Sequence, residues 1–192
     1  MPGGRYDAVL LAGGRARRLG GADKPGAEVG GRPLIGWVGG AVADAERLVV
    51  VGPPRAVLPR AIVVREDPPG SGPVPALRAG LAEVRAPWTV LLAADLPFLR
   101  PDHVAALLDA AGTGGAVLVD QDGREQWLAG CWPTAALREA LAAYGGASLR
   151  GLLGPLGPVP VALPAGERPP WYDCDTPDAL LHADRLAVPY DP

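Results

Sequence analysis

Cysteine and histidine are scarce in this 192-residue sequence, which has only Cys131, Cys174, His103 and His182 and no CxxC spacing. The scarcity excludes a zinc scaffold and a disulfide framework, because both need several clustered or paired ligands. Long apolar runs are lacking too. Runs such as Ala8 to Ala12 and Val90 to Ala94 fall far short of the roughly 20 residues that cross a bilayer. No basic-then-apolar leader precedes them, so the expectation is a soluble, cytoplasmic protein without a membrane partner. Asparagine is absent, and all but one of the 18 basic residues are arginine. Lys24, the single lysine, marks a position that takes a compact ammonium where every other takes a guanidinium.

What is present describes a folded domain. Hydrophobic residues make up 48% of the chain, enough to bury a core, and the 27 glycines and 23 prolines fall mainly between apolar runs, where they punctuate turns. The length fits one domain spanning 1–192. The net charge of -3 is unevenly spread. Arg5, Arg15, Arg17, Arg18 and Lys24 outweigh Asp7 and Asp23 in the first 24 residues, whereas the remainder is acidic. That distribution argues against a nucleic-acid surface spread over the fold.

Strand-like runs at Tyr6 to Leu11, Leu48 to Val51, Ala61 to Val64 and Trp88 to Ala93 alternate with helical segments from Pro33 to about Asp44, Val74 to Val84 and Pro101 to Ala110. The strands are apolar throughout, which predicts an α/β, Rossmann-like, mostly parallel sheet with helices on both faces. Ala116 to Val119 and Glu125 to Cys131 flank the hairpin signal Asp122-Gly123, predicting an antiparallel excursion. Helical pieces near Thr134 to Tyr144 and Ser148 to Leu153 follow, then a strand at Val159 to Leu163. Thr176-Pro177 opens a last helix, with Thr as its cap.

Ligands of parallel α/β sheets bind beyond the carboxyl ends of the strands. Three features fall there: the loop Ala12 to Lys24, the pair Glu66-Asp67, and Asp95. The loop combines flexible backbone with four arginine or lysine charges and leads towards a helix, the makings of a polyphosphate cradle. It is not a Walker loop, because Lys24 is followed by Pro25, and its glycine spacing does not match the dinucleotide fingerprint. Asp95, at the end of an apolar strand and before Leu-Pro, suits a magnesium ligand; an Asx-turn or surface aspartate is the alternative. Asp173 and Asp175 share a face if extended, and decoration of the following helix start is the alternative for them. His103 and His182 lie in helical segments and receive no role. Of the tryptophans, taken mainly as core, Trp127 and Trp132 near the hairpin could border an aromatic, pterin-sized acceptor.

The run Leu11-Ala-Gly-Gly-Arg-Ala-Arg-Arg-Leu-Gly-Gly-Ala-Asp-Lys24 resembles the signature LAGGxxxRMGGxDK of the molybdenum cofactor guanylyltransferases, within the wider α/β nucleotidyltransferases. Glu66-Asp67, Gly72-Pro73, Ala94-Asp95-Leu-Pro and Asp173-Cys-Asp175-Thr-Pro extend the similarity over nearly the whole chain. The resemblance implies a nucleotide-diphospho-sugar transferase-like fold. It also implies transfer of GMP from Mg-GTP to molybdopterin or its molybdenum-loaded form, with release of pyrophosphate, and transient contact with proteins that make or receive the cofactor. By position, Leu11, Ala12, Gly13 and Gly14 would contact the nucleotide, Arg18 and Lys24 the triphosphate, and Asp67 the base or ribose. Asp95 and Asp175 would hold Mg2+, and Arg18, Lys24 and Asp95 would form the catalytic set. Two departures bear on the base: Gly52 stands where family members commonly have Asn, and Val74-Pro75-Ala76 where they have a small Ala-Gly pair. The alternatives are a related enzyme using CTP or another phosphorylated acceptor, distinguished by base selectivity, and a non-catalytic nucleotide-binding module, distinguished by a failure to release pyrophosphate.

Overall fold

The first apolar run forms strand β1 (Tyr6–Leu11), and all six of its side chains are buried. A strand covered on both faces belongs in a sheet sandwiched between helices, and alternate residues of β1 sort accordingly. Tyr6, Ala8 and Leu10 pack with Ile35, Val38 and Leu107 on one side, whereas Val9 and Leu11 pack with Val74, Leu77 and Leu141 on the other.

The computed structural model describes residues 4–13, 23–164 and 166–187. Within them, β1 is followed by a short hairpin of β2 (Glu28–Val29) and β3 (Arg32–Pro33), then α1 (Leu34–Ala41), β4 (Leu48–Val51), β5 (Ile62–Val64), α2 (Pro73–Leu81) and β6 (Trp88–Ala93). The second half runs α3 (Pro101–Ala110), β7 (Ala116–Val119), β8 (Glu125–Pro133), α4 (Thr134–Ala143), α5 (Leu149–Leu153), β9 (Val159–Ala162) and α6 (Pro177–Leu186). Seven strands form one sheet in the order β5-β4-β1-β6-β8-β7-β9. All neighbours are parallel except β8, which runs against both β6 and β7. The α/β expectation, its mostly parallel sheet and its antiparallel hairpin are therefore all realised.

Helix α1 ends at Ala41 rather than near Asp44, because Gly39-Gly40 weaken its last turn and the Val42 N–H turns back to the Gly39 carbonyl. Helix α2 starts one residue earlier than expected, with Pro73 at its first position, and stops at Leu81; Val84 is buried beyond its end. The β2–β3 hairpin was not foreseen, since two residues per strand are too few for a periodicity to show.

The register positions the site. Leu11 of β1 aligns with Val51 of β4 and Ala93 of β6, and Val51 aligns with Val64 of β5. Four carboxyl ends therefore lie in one row, and the segments that follow them emerge at one edge. Strand β8 runs the other way and pairs Ala129 with Leu92, so the start of β8 overhangs that same edge. A third, smaller core of Val29, Leu34, Phe98, Cys174 and Ala183 joins the β2–β3 hairpin to α6. Buried Asp7 ties down the turn before β6 by accepting the Arg85 and Ala86 N–H groups at 2.6 and 3.0 Å. Among the described residues no helix is long and apolar enough to cross a membrane.

Candidate functional site

At the shared edge, the Lys24 ammonium forms ion pairs with Asp95 and Asp175. Each partner comes from a different part of the chain. Lys24 opens a short 3-10 turn held by Pro25 and by Gly26 and Ala27 N–H bonds back to Asp23 and Lys24. Asp95 follows β6, and Asp175 precedes the Thr176 cap of α6, whose hydroxyl accepts the Ala179 N–H at 3.1 Å. Arg55 grips Asp23 with both terminal guanidinium nitrogens, fixing the residue next to the lysine. The Lys24 and Asp95 side chains are each 15% exposed, whereas Asp175 is 47% exposed, so Asp175 stands on the open side of the group.

Electrostatics match this burial. Desolvation opposes the Lys24 charge, but the attraction of Asp95 and the hydrogen bonds to Asp175 and Asp95 outweigh it and hold the ammonium above its ordinary range. Asp173 is pushed up, first by burial and then by the negative charges of Asp175 and Asp95. The Cys174 thiol between them is raised to about 12 by burial and then by Asp95. Among the described residues, nothing hydrogen-bonds to the enclosed Oδ1 of the Asp95 carboxylate. An unpaired hard oxygen is the donor type that Mg2+ takes. Among the described residues no group of three or more carboxylate, imidazole or thiolate side chains could hold a metal.

On one side of this group lies the end of β1. Leu11 and Ala12 are buried, with the Ala12 N–H bonded to the Val51 carbonyl at 2.9 Å, so they can offer a ligand only backbone, whereas Gly13 is exposed. Gly52, at φ +152°, presses against this backbone: a Cβ there would stand 2.9 Å from the Ala12 carbonyl carbon. Glu66 is buried beneath Gly13, while Asp67 is exposed.

On the other side is a cavity of about 570 Å³. Asp95, Asp173 and Asp175 share its wall with Trp127 from the β8 overhang, Arg150 from α5, and Trp171. The hairpin, Arg150 and the Asp173 segment thus converge on one cavity. Asp173 and Asp175 do share a face, because Cys174 between them is turned into the small core.

Trp132 does not border the cavity. It is fully buried and stacks behind Trp127, with ring centroids 6.4 Å apart and planes 20° apart. Trp171, taken as core from its sequence, lines the cavity instead. Its neighbours Pro169 and Pro170 mask any periodicity, and its closeness to Asp173 was the one available signal. His103 Nδ1 accepts the Arg100 N–H at 3.2 Å, and His182 packs on Tyr172. Gly14 and Arg18, together with Arg15 and Arg17, lie outside the described residues.

Comparisons with known proteins bear on the family and the fold. Residues 8–159 match the model of the MobA-like NTP transferase domain. A protein of Bradyrhizobium sp. (strain ORS 278) named molybdenum cofactor guanylyltransferase is 34% identical, the match covering 95% of this chain and 93% of that protein. Two solved structures share the fold. Molybdopterin-guanine dinucleotide biosynthesis protein A from Archaeoglobus fulgidus superposes with a TM-score of 0.71 at 20% identity, covering 94% of this chain and 97% of that one. The 2-C-methyl-D-erythritol 4-phosphate cytidylyltransferase from Thermus thermophilus gives 0.65 at 21% identity, covering 93% and 97%.

Proposed function

The chain belongs to the MobA-like NTP transferase family, and on that premise we propose that this nucleotidyltransferase transfers GMP from GTP to the terminal phosphate of molybdopterin or its molybdenum-loaded form. The observation that carries the reading is Lys24 held between Asp95 and Asp175 at the edge where four strands end, with a cavity alongside. An oxygen of the acceptor phosphate attacks the α-phosphorus of GTP. As that bond forms, the bond from the α-phosphorus to the oxygen bridging to the β-phosphate breaks, and pyrophosphate leaves. No protein nucleophile takes part.

The work of the chain is positioning and charge stabilisation. Lys24 turns its ammonium to the triphosphate and stabilises the charge that builds towards pyrophosphate; Arg18 adds a second positive charge by its place in the signature. The backbone of Leu11, Ala12 and Gly13 lies along the nucleoside, and Gly14 joins them by its place in the signature. Asp95 and Asp175 are the residues that would hold Mg2+, which supplies charge neutralisation at the phosphates. In the cavity, Trp127 offers a flat face backed by Trp132 for a pterin ring, and Arg150 a cation for the acceptor phosphate. The volume is within the usual 300–1,000 Å³ for a small-molecule site. A reaction that draws on GTP implies a cytoplasmic enzyme.

Calorimetric titration of GTP, CTP, ATP and UTP with Mg2+, on wild type beside Lys24→Ala and Asp95→Ala, tests the reading. GTP is expected to bind most tightly, and removing the lysine to weaken it about 10- to 100-fold, the worth of a hydrogen bond to a charged group. Turnover with molybdopterin must then release pyrophosphate. A preference for CTP would change the product, and nucleotide binding without pyrophosphate release would leave a binding module.

A further inference from the structure

We propose that Glu66, rather than its neighbour Asp67, reads the base of the nucleotide and selects guanine by accepting two hydrogen bonds from its edge. The inference rests on the nucleotidyl-transfer reading and adds the residue that sets its specificity.

Three observations converge on Glu66. It is only 6% exposed, although nothing cationic pairs with it among the hydrogen bonds and ion pairs of the described residues. Its Oε1 accepts the Gly70 N–H at 2.8 Å, which fixes the carboxylate in the turn after β5. Its Oε2 is enclosed and has no hydrogen-bond partner among the described residues. A buried unpaired carboxylate oxygen carries a desolvation cost, and such a cost at a ligand-binding edge marks an acceptor kept for a ligand's donor.

The carboxylate also faces the right place. A methyl group on Gly13 would stand 3.5 Å from Oε1 and 3.7 Å from Oε2, so the carboxylate lies in van der Waals range of the exposed Gly13 at the end of β1. Gly52 flanks the same backbone and has no side chain to contribute.

A carboxylate only accepts. Guanine alone among the common bases presents two adjacent donors on its pairing edge, the N1–H and the N2 amino group. Adenine and cytosine put a ring-nitrogen acceptor beside the amino group, and uracil puts carbonyls on both sides of its N–H. Each of these sets an acceptor against Glu66 or leaves one of its oxygens unpaired, and a site built to pair a donor rejects ligands that lack it.

Inosine triphosphate isolates the effect, because it keeps N1–H and lacks only the N2 amino group. The wild type is expected to bind GTP about 10- to 100-fold more tightly than ITP. Glu66→Gln keeps an acceptor for the Gly70 N–H but turns the second position into a donor, and is expected to bring the GTP-to-ITP ratio close to one at an unchanged thermal midpoint. Gly13→Ala, which leaves Glu66 intact and sets a methyl over it, is expected to lower the same ratio. A ratio that survives in Glu66→Gln, a loss of all triphosphates in equal proportion, or a ratio abolished by Asp67→Asn would overturn the assignment while leaving guanylyl transfer standing. A wild type that prefers CTP would overturn the guanylyl reading itself.

Discussion

Adding one methyl group at Gly52 should disturb the nucleotide site from behind. Gly52 has φ +152°, and a Cβ would stand 2.9 Å from both the carbonyl carbon and oxygen of Ala12 and 3.1 Å from the Gly13 nitrogen. The contacts are all with backbone, so no side-chain rotation relieves them. Holding a non-glycine residue in such a conformation costs about 1–3 kcal/mol. Overpacking against a fixed neighbour costs a further 1–3 kcal/mol or so. For a chain of this size each kcal/mol lowers the midpoint by about 2–4 °C, so Gly52→Ala should melt roughly 4–24 °C below wild type. The relief available is a shift of Ala12-Gly13, and misplacement by about 1 Å at a site of this kind is worth about 100-fold. GTP should therefore stabilise Gly52→Ala less than it stabilises the wild type. Gly52→Asn, which installs the residue common in the family signature, should be destabilised as well, because this backbone leaves its Cβ no room. Calorimetric melting with and without Mg-GTP measures both effects. A Gly52→Ala midpoint within about 1 °C of wild type, with full stabilisation by GTP, would refute the argument.

Other consequences follow from groups away from the site. His103 is held below its ordinary range, mainly by burial and then by Arg100, so the unfolded chain takes up its proton first as the pH falls. Its contribution to stability is thus complete above pH ~6.5 and is lost as the pH falls through the lower folded value. The acid slope of the thermal midpoint over that window should flatten in His103→Gln. Cys131 and Cys174 are both free and fully buried, and burial pushes each thiol up to about 12. A thiol reagent at pH 8 should leave the native protein unmodified and label both residues in denaturant; rapid labelling of the native state would contradict the packing of Cys174 in the small core.

Much of this architecture was legible in the sequence, for a physical reason. A strand buried on both faces must be apolar throughout, and a parallel sheet must send whatever follows its strands to one edge. Those two rules send the segments that carry Glu66 and Asp95 to the same edge of the sheet, although they are far apart in the chain. The alternation of Asp173 and Asp175 likewise anticipated their shared face, because the segment is extended and Cys174 points inward. What remained hidden depends on contacts between distant residues. Nothing local tells Glu66 from Asp67: burial of one and exposure of the other is decided by the turn back to Gly70. Trp127 and Trp132 both flank the hairpin, but the direction and overhang of β8 put the first at the cavity and the second in the core. The grip of Arg55 on Asp23 joins two loops that no periodicity connects.

The ion pair between Lys24 and Asp175 spans 151 residues of chain. During synthesis this has a temporal meaning. The ribosome delivers the lysine long before the carboxylate, and domains fold in the order in which they emerge. The finished charge constellation arises only when the last helix docks through Ala183 and Cys174 against the hairpin near the start. A charge group that joins segments this far apart exists only in the folded chain and in no local piece of it.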